Sequence, residues 1–172
     1  MNNHLSKMTI LFHWLTGLAF LTVLGIGLTL EYLPKGTMSL HKSLGTIVFV
    51  IAVLRLIWRF KEGSISSISK ASKMTSLLAT SIHHLLLLAT LIMPLSGILM
   101  SIGGGRGLSV FGFDLVAGGE KIEWLAAIAS PIHHQAVNFI IVALLLHIAG
   151  GLKHQFIDKD GTVSRMLGNF HK

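Results

Sequence analysis

The sequence contains no cysteine. That absence removes disulfides, iron–sulfur clusters, thioether-linked c-type haem and thiolate metal sites from the chemistry open to the chain. Charge is also scarce: 12% of the 172 residues are Asp, Glu, Lys or Arg, and only 7 of them are acidic. Soluble domains carry about 25% charged residues, so this is not the composition of a surface bathed in water. In place of charge, 52% of the residues are hydrophobic and the mean hydropathy is +0.72, which makes lipid the expected solvent. The net charge of +7 comes from basic residues set between apolar runs. Such a pattern fits a membrane surface and not nucleic acid.

A helix needs about 20 apolar residues to cross a hydrocarbon core about 30 Å thick. Four segments qualify, at about 9–30, 40–59, 77–102 and 131–152. The fold expected is all-α, an integral membrane four-helix bundle forming one domain over 1–172. The first apolar run, Thr9 to Leu30, has no small-residue cleavage pattern and is followed by three similar runs, so it reads as a span and not as a removable signal. Between the spans lie a turn at Pro34-Lys35-Gly36, a Ser/Lys-rich loop from Lys61 to Ser76, and a longer loop from Gly103 to Ser130. That last loop is expected to carry a short interfacial helix around Glu120–Ala129. Lys7, Arg55, Arg59, Lys61, Lys70, Lys73, Lys153, Lys159, Arg165 and Lys172 fall on the side of the termini, against Lys35, Lys42, Arg106 and Lys121 opposite. The positive-inside rule therefore places both termini in the cytoplasm.

Ten histidines stand out against this background. A polar side chain inside a membrane helix is costly and faces the bundle interior, so an intramembrane histidine is a functional candidate by default. Depth sorts them. His13 lies in the first turns of span one, near the cytoplasm, whereas His41 opens span two from the opposite surface. His133 and His147 are fourteen residues apart on span four, which leaves them about 40° apart around the helix and about 21 Å apart along it. His133 is then level with His41, and His147 with His13. An iron porphyrin between helices needs one imidazole on each face and apolar side chains around the macrocycle. Two opposed pairs at matched depths provide for two haems b, with His134 as an alternative to its neighbour His133. A lone histidine is more readily explained by an interhelical hydrogen bond; four at matched depths are not.

His83 on span three and His154 at the end of span four also lie toward the cytoplasm. A quinone head group needs hydrogen bonds at its two carbonyls and a source of protons, which imidazoles supply. Helix capping or snorkelling would explain this pair nearly as well. His84 points about 100° away from His83, and His4 and His171 sit in the terminal segments; none is assigned a role. Arg55 and Arg59 are read as interfacial anchors that could also pair with haem propionates, as could Lys42 at the outer face. Gly17, Gly25, Gly27, Gly45, Gly97, Gly150 and Gly151 would let a flat cofactor or a neighbouring helix approach closely.

With these residues in view the chain resembles the bacterial cytochrome b561 family, which is grouped with the b-type subunits of nickel–iron hydrogenases. The resemblance rests on His13-Trp14, Leu40-His41 with Gly45, Arg55-Leu56 followed by Trp58-Arg59, and His83 eleven residues before Pro94. It continues in the closing series His147, His154, Phe156, Asp158, Asp160-Gly161 and Arg165-Met166. It implies two six-coordinate b haems, one on His13 and His147 and one on His41 and His133, in a multi-pass protein of the bacterial inner membrane. It also implies exchange with ubiquinone near His83 and His154, and names superoxide oxidation at the outer face as one candidate activity. The family often has a further histidine shortly before the one on span three. Thr80 and Ser81 occupy that region here and His84 is added, which leaves His83 and His84 as alternatives.

Three functions are then in competition: an oxidase of superoxide or another small donor, a membrane anchor taking electrons from a separate dehydrogenase or hydrogenase, and a haem-free transporter of metal or protons. The first two share every residue discussed. The third would need carboxylates within the spans, which contain almost none.

Overall fold

The computed structural model describes residues 4–63, 65–68 and 71–169. Lys70, His171 and Lys172, which entered the charge and histidine surveys, lie outside the described residues. Four long helices dominate: α1 (Lys7–Thr29), α2 (Thr37–Glu62), α3 (Lys73–Gly103) and α4 (Glu123–Lys153). At about 1.5 Å per residue each is long enough to cross the hydrocarbon core.

Local chemistry sets their ends. The Ser6 hydroxyl accepts the Thr9 amide at 3.1 Å to cap α1, and Ser72 does the same for Thr75 at 3.3 Å on α3. Helix α2 stops at Gly63, whose left-handed φ of 79° admits only a residue without a Cβ at little cost. The Arg59 guanidinium also reaches the Gly63 carbonyl. This arginine therefore closes its own helix. The start of α1 is tied to the end of α2 as well, because Trp58 Nε1 donates to Thr9 Oγ1 at 3.0 Å and Thr9 Oγ1 donates to Glu62.

The region between α3 and α4 departs from expectation. No separate interfacial helix forms around Glu120–Ala129; α4 itself begins at Glu123 and runs unbroken through Pro131. A proline removes one amide donor, a loss that a membrane helix packed on a neighbour tolerates. Here the first turn of α4 is strapped to α3: Ile122 N donates to Gly103 O at 2.8 Å, and a Cβ on Gly103 would come within 2.7 Å of Ala126 N. The rest of the loop folds into an antiparallel hairpin, β1 (Leu108–Val110) and β2 (Phe113–Val116). Its turn uses Phe111 and Gly112 with φ of 48° and 88°, the two positive values of a type I′ hairpin.

The helices pack in chain order, α1 on α2, α2 on α3 and α3 on α4, while α4 approaches α1 and α2 at few backbone points. Phe20, Val48 and Ile140 form a small buried core, with Val23, Leu24 and Met93 packed against it. Most other large apolar side chains face outward, as lipid requires. After α4, a π-helical turn (His154–Asp158) leads through Lys159 and Gly161, both left-handed, into the short α5 (Thr162–Met166). Trp14 Nε1 on α1 donates to the Met166 carbonyl at 2.8 Å and holds that closing segment against the bundle.

Candidate functional site

Near the hairpin end of the bundle, His41 on α2 and His133 on α4 face one another with ring centroids 6.3 Å apart. Each imidazole lies against a glycine: a Cβ on Gly27 would stand 2.9 Å from His41 Cε1, and one on Gly97 would stand 2.9 Å from His133 Cε1. Real Cβ atoms do not approach so closely, so these glycines are notches for the two rings. With Gly97 out of the way, His133 Nδ1 donates to the Met93 carbonyl at 3.0 Å and lies 3.2 Å from Ser96 Oγ. The Ser96 hydroxyl itself donates to the same carbonyl at 2.8 Å. A proton fixed on Nδ1 leaves Nε2 as the free lone pair, the arrangement found in metal-binding imidazoles. His41 has no such support. Its Nδ1 is buried without a hydrogen-bond partner of normal geometry, although the Val23 backbone is close by.

An apolar cavity opens between these rings, lined by Phe20, Val23, Val48 and Met93 and bordered by Leu108 of the hairpin. The hairpin is held there by side chains adjacent to His41. Ser43 Oγ accepts the Phe111 amide at 2.9 Å, and Lys42 Nζ donates to Ser101 Oγ at 3.1 Å, which in turn donates to the Gly107 carbonyl at 2.7 Å. Beside the cavity is a second hollow, where Lys42, Arg106, Lys121, Glu123 and His134 stand among apolar side chains that include Met38 and Met100. His134 borders both spaces, but His133 is the one that faces His41.

Toward the terminal end, His13 on α1 and His147 on α4 stand 6.1 Å apart, centroid to centroid. A third imidazole joins them: His83 on α3 lies 5.1 Å from His147, nearly perpendicular to it. His83 Nδ1 donates to the Ala79 carbonyl at 2.7 Å, which again leaves Nε2 free. Trp14 sets its ring edge-on to His13 at 5.4 Å. Arg55, expected at the interface, is half-buried and acts electrostatically on both His13 and His147.

His154 stands apart from this trio. Its Nδ1 is 2.7 Å from Asp160 Oδ2 and 3.3 Å from Asp158 Oδ2, and Lys153 holds Asp158 at 2.5 Å. Asp160 is fixed from its other side by the Thr162 amide at 2.9 Å. Burial works against its charge, but the hydrogen bonds from Thr162 and His154 outweigh it and hold the carboxyl below the usual range.

The sequence matches the family model of prokaryotic cytochrome b561 over residues 4–169. The chain belongs to the prokaryotic cytochrome b561 family. Among its relatives, cytochrome b561 homolog 2 of Escherichia coli (strain K12) is 34% identical over 164 residues, covering 91% of this chain and 87% of the relative. Cytochrome b561 homolog 1 of the same organism is 29% identical over 174 residues, covering 96% and 97%. As a cytochrome b561 family member the chain is an electron-transfer protein, and with four spanning helices it is a multi-pass protein of the bacterial inner membrane.

The residues present fit haem b. With metal–imidazole bonds of about 2 Å, two imidazoles ligating one ion from opposite sides place their nitrogens about 4 Å and their centroids about 6 Å apart. Both pairs have that separation. At the hairpin end the apolar cavity lined by His41 and His133 suits a macrocycle. Sequence reasoning missed Ser96, the Met93 carbonyl and the pairing of Gly27 with His41. Their signal was the small residues on the inward faces of α1 and α3, which alone does not say which ring each one admits.

Proposed function

We propose that this chain is a di-haem b-type cytochrome, with His41 and His133 holding one haem and His13 and His147 the other, that carries electrons through the membrane between a separate redox protein and a quinone. The observation that carries this reading is the occurrence, at two depths of one bundle, of two imidazole pairs each about 6 Å apart. Haem b, held by these histidine pairs, would supply one-electron transfer between ferric and ferrous iron.

The chain's own residues set the conditions. Apolar side chains around the His41–His133 cavity exclude water, and the Met93 and Ser96 contacts lock the His133 tautomer. The half-buried Arg55 places positive charge beside the other pair. His83 and His154, at the terminal end, serve quinone exchange there, His83 through its free Nε2. The basic balance of the loops orients the termini to the cytoplasm and the hairpin to the opposite side. The donor on this reading is the catalytic subunit of a dehydrogenase or hydrogenase, for which the chain acts as membrane anchor and electron acceptor.

A second reading, in which superoxide is the donor and ubiquinone the acceptor, is favoured by one observation. The hollow at the hairpin end brings Lys42, Arg106 and Lys121 together next to the cavity, a cationic setting for a small anion. Purified protein separates the two. A reduced-minus-oxidised spectrum with a pyridine haemochrome assay should give two b haems per chain. Reduction of those haems by a superoxide-generating system in the absence of any co-purifying protein would favour the second reading, and reduction by a co-purifying dehydrogenase alone would favour the first. Absence of haem after haem-sufficient expression would sink both.

A further inference from the structure

The π-helical turn after α4 brings three groups around one imidazole. Asp158 comes from the turn itself, Asp160 from the left-handed bend that follows it, and Lys153 from the last turn of α4. Their hydrogen bonds are not interchangeable. Asp158 is occupied by Lys153 at 2.5 and 2.7 Å and is the more distant carboxylate from His154, at 3.3 Å. Asp160 is pinned by the Thr162 amide through Oδ1 and meets His154 Nδ1 at 2.7 Å through Oδ2. A carboxylate can only accept, so Nδ1 carries the proton and Nε2 is left as the site that gains and loses one. Both side chains are only partly covered, His154 at 21% exposure and Asp160 at 16%, which keeps the pair in reach of water. A carboxylate that holds an imidazole in this way fixes its ring orientation and its tautomer.

We infer that Asp160 is a positioning residue for proton delivery, holding His154 so that this imidazole passes protons from water to a quinone reduced at the terminal end of the bundle. The inference rests on the quinone reading proposed above. The chemistry balances: a quinone takes two electrons and two protons to become a quinol, and two ferrous haems become ferric in supplying the electrons. For each proton, the Nε2–H bond of protonated His154 breaks as an O–H bond forms on a quinone oxygen. Neutral His154 keeps its Nδ1–H on Asp160 and regains the Nε2 proton from solvent. Two such cycles complete one quinol.

The test uses the full haem-loaded chain, reduced with stoichiometric dithionite without oxygen and mixed with decylubiquinone in a stopped-flow spectrometer. Asp160→Asn should slow haem reoxidation about tenfold or more, the loss expected when a general acid is misplaced. Added imidazole, a small mobile acid, should restore much of that rate, and Asp160→Glu should restore most of it; a purely structural defect would respond to neither. Asp158→Asn should have the smaller effect. Independently of haem, ring-15N NMR should show a single Nδ1-protonated tautomer for His154 that becomes mixed in Asp160→Asn. An Asp160→Asn rate equal to wild type, or a slow rate that imidazole does not lift together with an unchanged tautomer, would overturn the inference alone. Wild-type haems that do not reoxidise with the quinone would overturn the quinone reading and this inference with it. The three donor atoms of His154, Asp158 and Asp160 lie within 4.8 Å of one another, a spacing open to a cation. If Mn²⁺ broadens the His154 signal in wild type but not in Asp160→Asn, with reoxidation unaffected, the cluster is a cation site and the proton role is wrong.

Discussion

Both ends of the bundle bring two imidazoles together at nearly the same centroid separation, yet they are built differently. At the hairpin end, two glycines make room for the rings, a hydroxyl and a carbonyl fix one tautomer, and a latched hairpin borders an apolar cavity. At the terminal end, a third histidine packs on the pair, Arg55 lies within electrostatic reach, and Gly17, Gly150 and Gly151 have open space where their Cβ would be. The hairpin end sets its pair beside an apolar cavity. The terminal end surrounds its pair with further polar side chains.

The hardest test of that comparison is to remove ligands one end at a time. His41→Ala or His133→Ala should leave one haem per chain, as should His13→Ala or His147→Ala, with the haemochrome assay falling from two to one in each case. Loss of both haems from a single substitution would show that the two ends are one cooperative site.

Next in size are the notches. Gly27→Ala or Gly97→Ala must displace a ring, at a cost of about 1–3 kcal/mol in typical overpacked interiors. Haem retention or midpoint potential at the hairpin end should change while the terminal end does not, and Gly17→Ala should be silent at both. Equal damage from all three would mean that glycine serves helix packing and not the rings.

Arg55→Gln should then distinguish the ends electrically. A cation favours the more negative, reduced state, so its removal should lower the potential of the His13–His147 haem. At an effective dielectric of about 20, a charge about 10 Å away is worth on the order of 1–2 kcal/mol, or tens of millivolts for one electron. Potentiometric titration of both haems reads the difference directly; a larger shift at the hairpin end would contradict the placement of Arg55.

Smaller effects are expected from Ser96→Ala, because His133 Nδ1 keeps the Met93 carbonyl. The cost should be about 0.5–1.5 kcal/mol of haem affinity at the hairpin end, read by apo-protein competition. The smallest is a pH effect at the closing turn. The Asp160 carboxyl is held below its ordinary value, so its contribution is fully present above about pH 4 and is lost as pH falls through the lowered value. Hydrogen exchange at the Thr162 amide should therefore show unchanged protection between about pH 5 and 8 and lose it only in stronger acid; loss of protection near neutrality would contradict this.

Much of this architecture can be read from sequence because lipid imposes simple rules. Length and hydropathy mark the four long helices, and the separation of His133 from His147 assigns them to different depths through helix geometry alone. What could not be read depends on contacts between distant segments. The choice of His133 over His134 as the ring facing His41 is made by Met93 and Ser96 on another helix. The hairpin was hidden because its strands are only 3 and 4 residues long and its turn places a phenylalanine at positive φ, where glycine or asparagine would have announced it. Helix α4 begins early for a similar reason: its first turn is set by Gly103 of α3, which no local pattern near Glu123 discloses.

One helix, α4, carries a histidine of each pair on an unbroken run through Pro131. It therefore works as a ruler: the interval between the two layers is graduated in helical pitch, and no loop can stretch it. A residue inserted between His133 and His147 would swing one of them through about 100° while lengthening the interval by only about 1.5 Å. Spacing along such a ruler can drift slightly and survive, whereas phase cannot, so the register of a single helix decides whether both layers meet their partners.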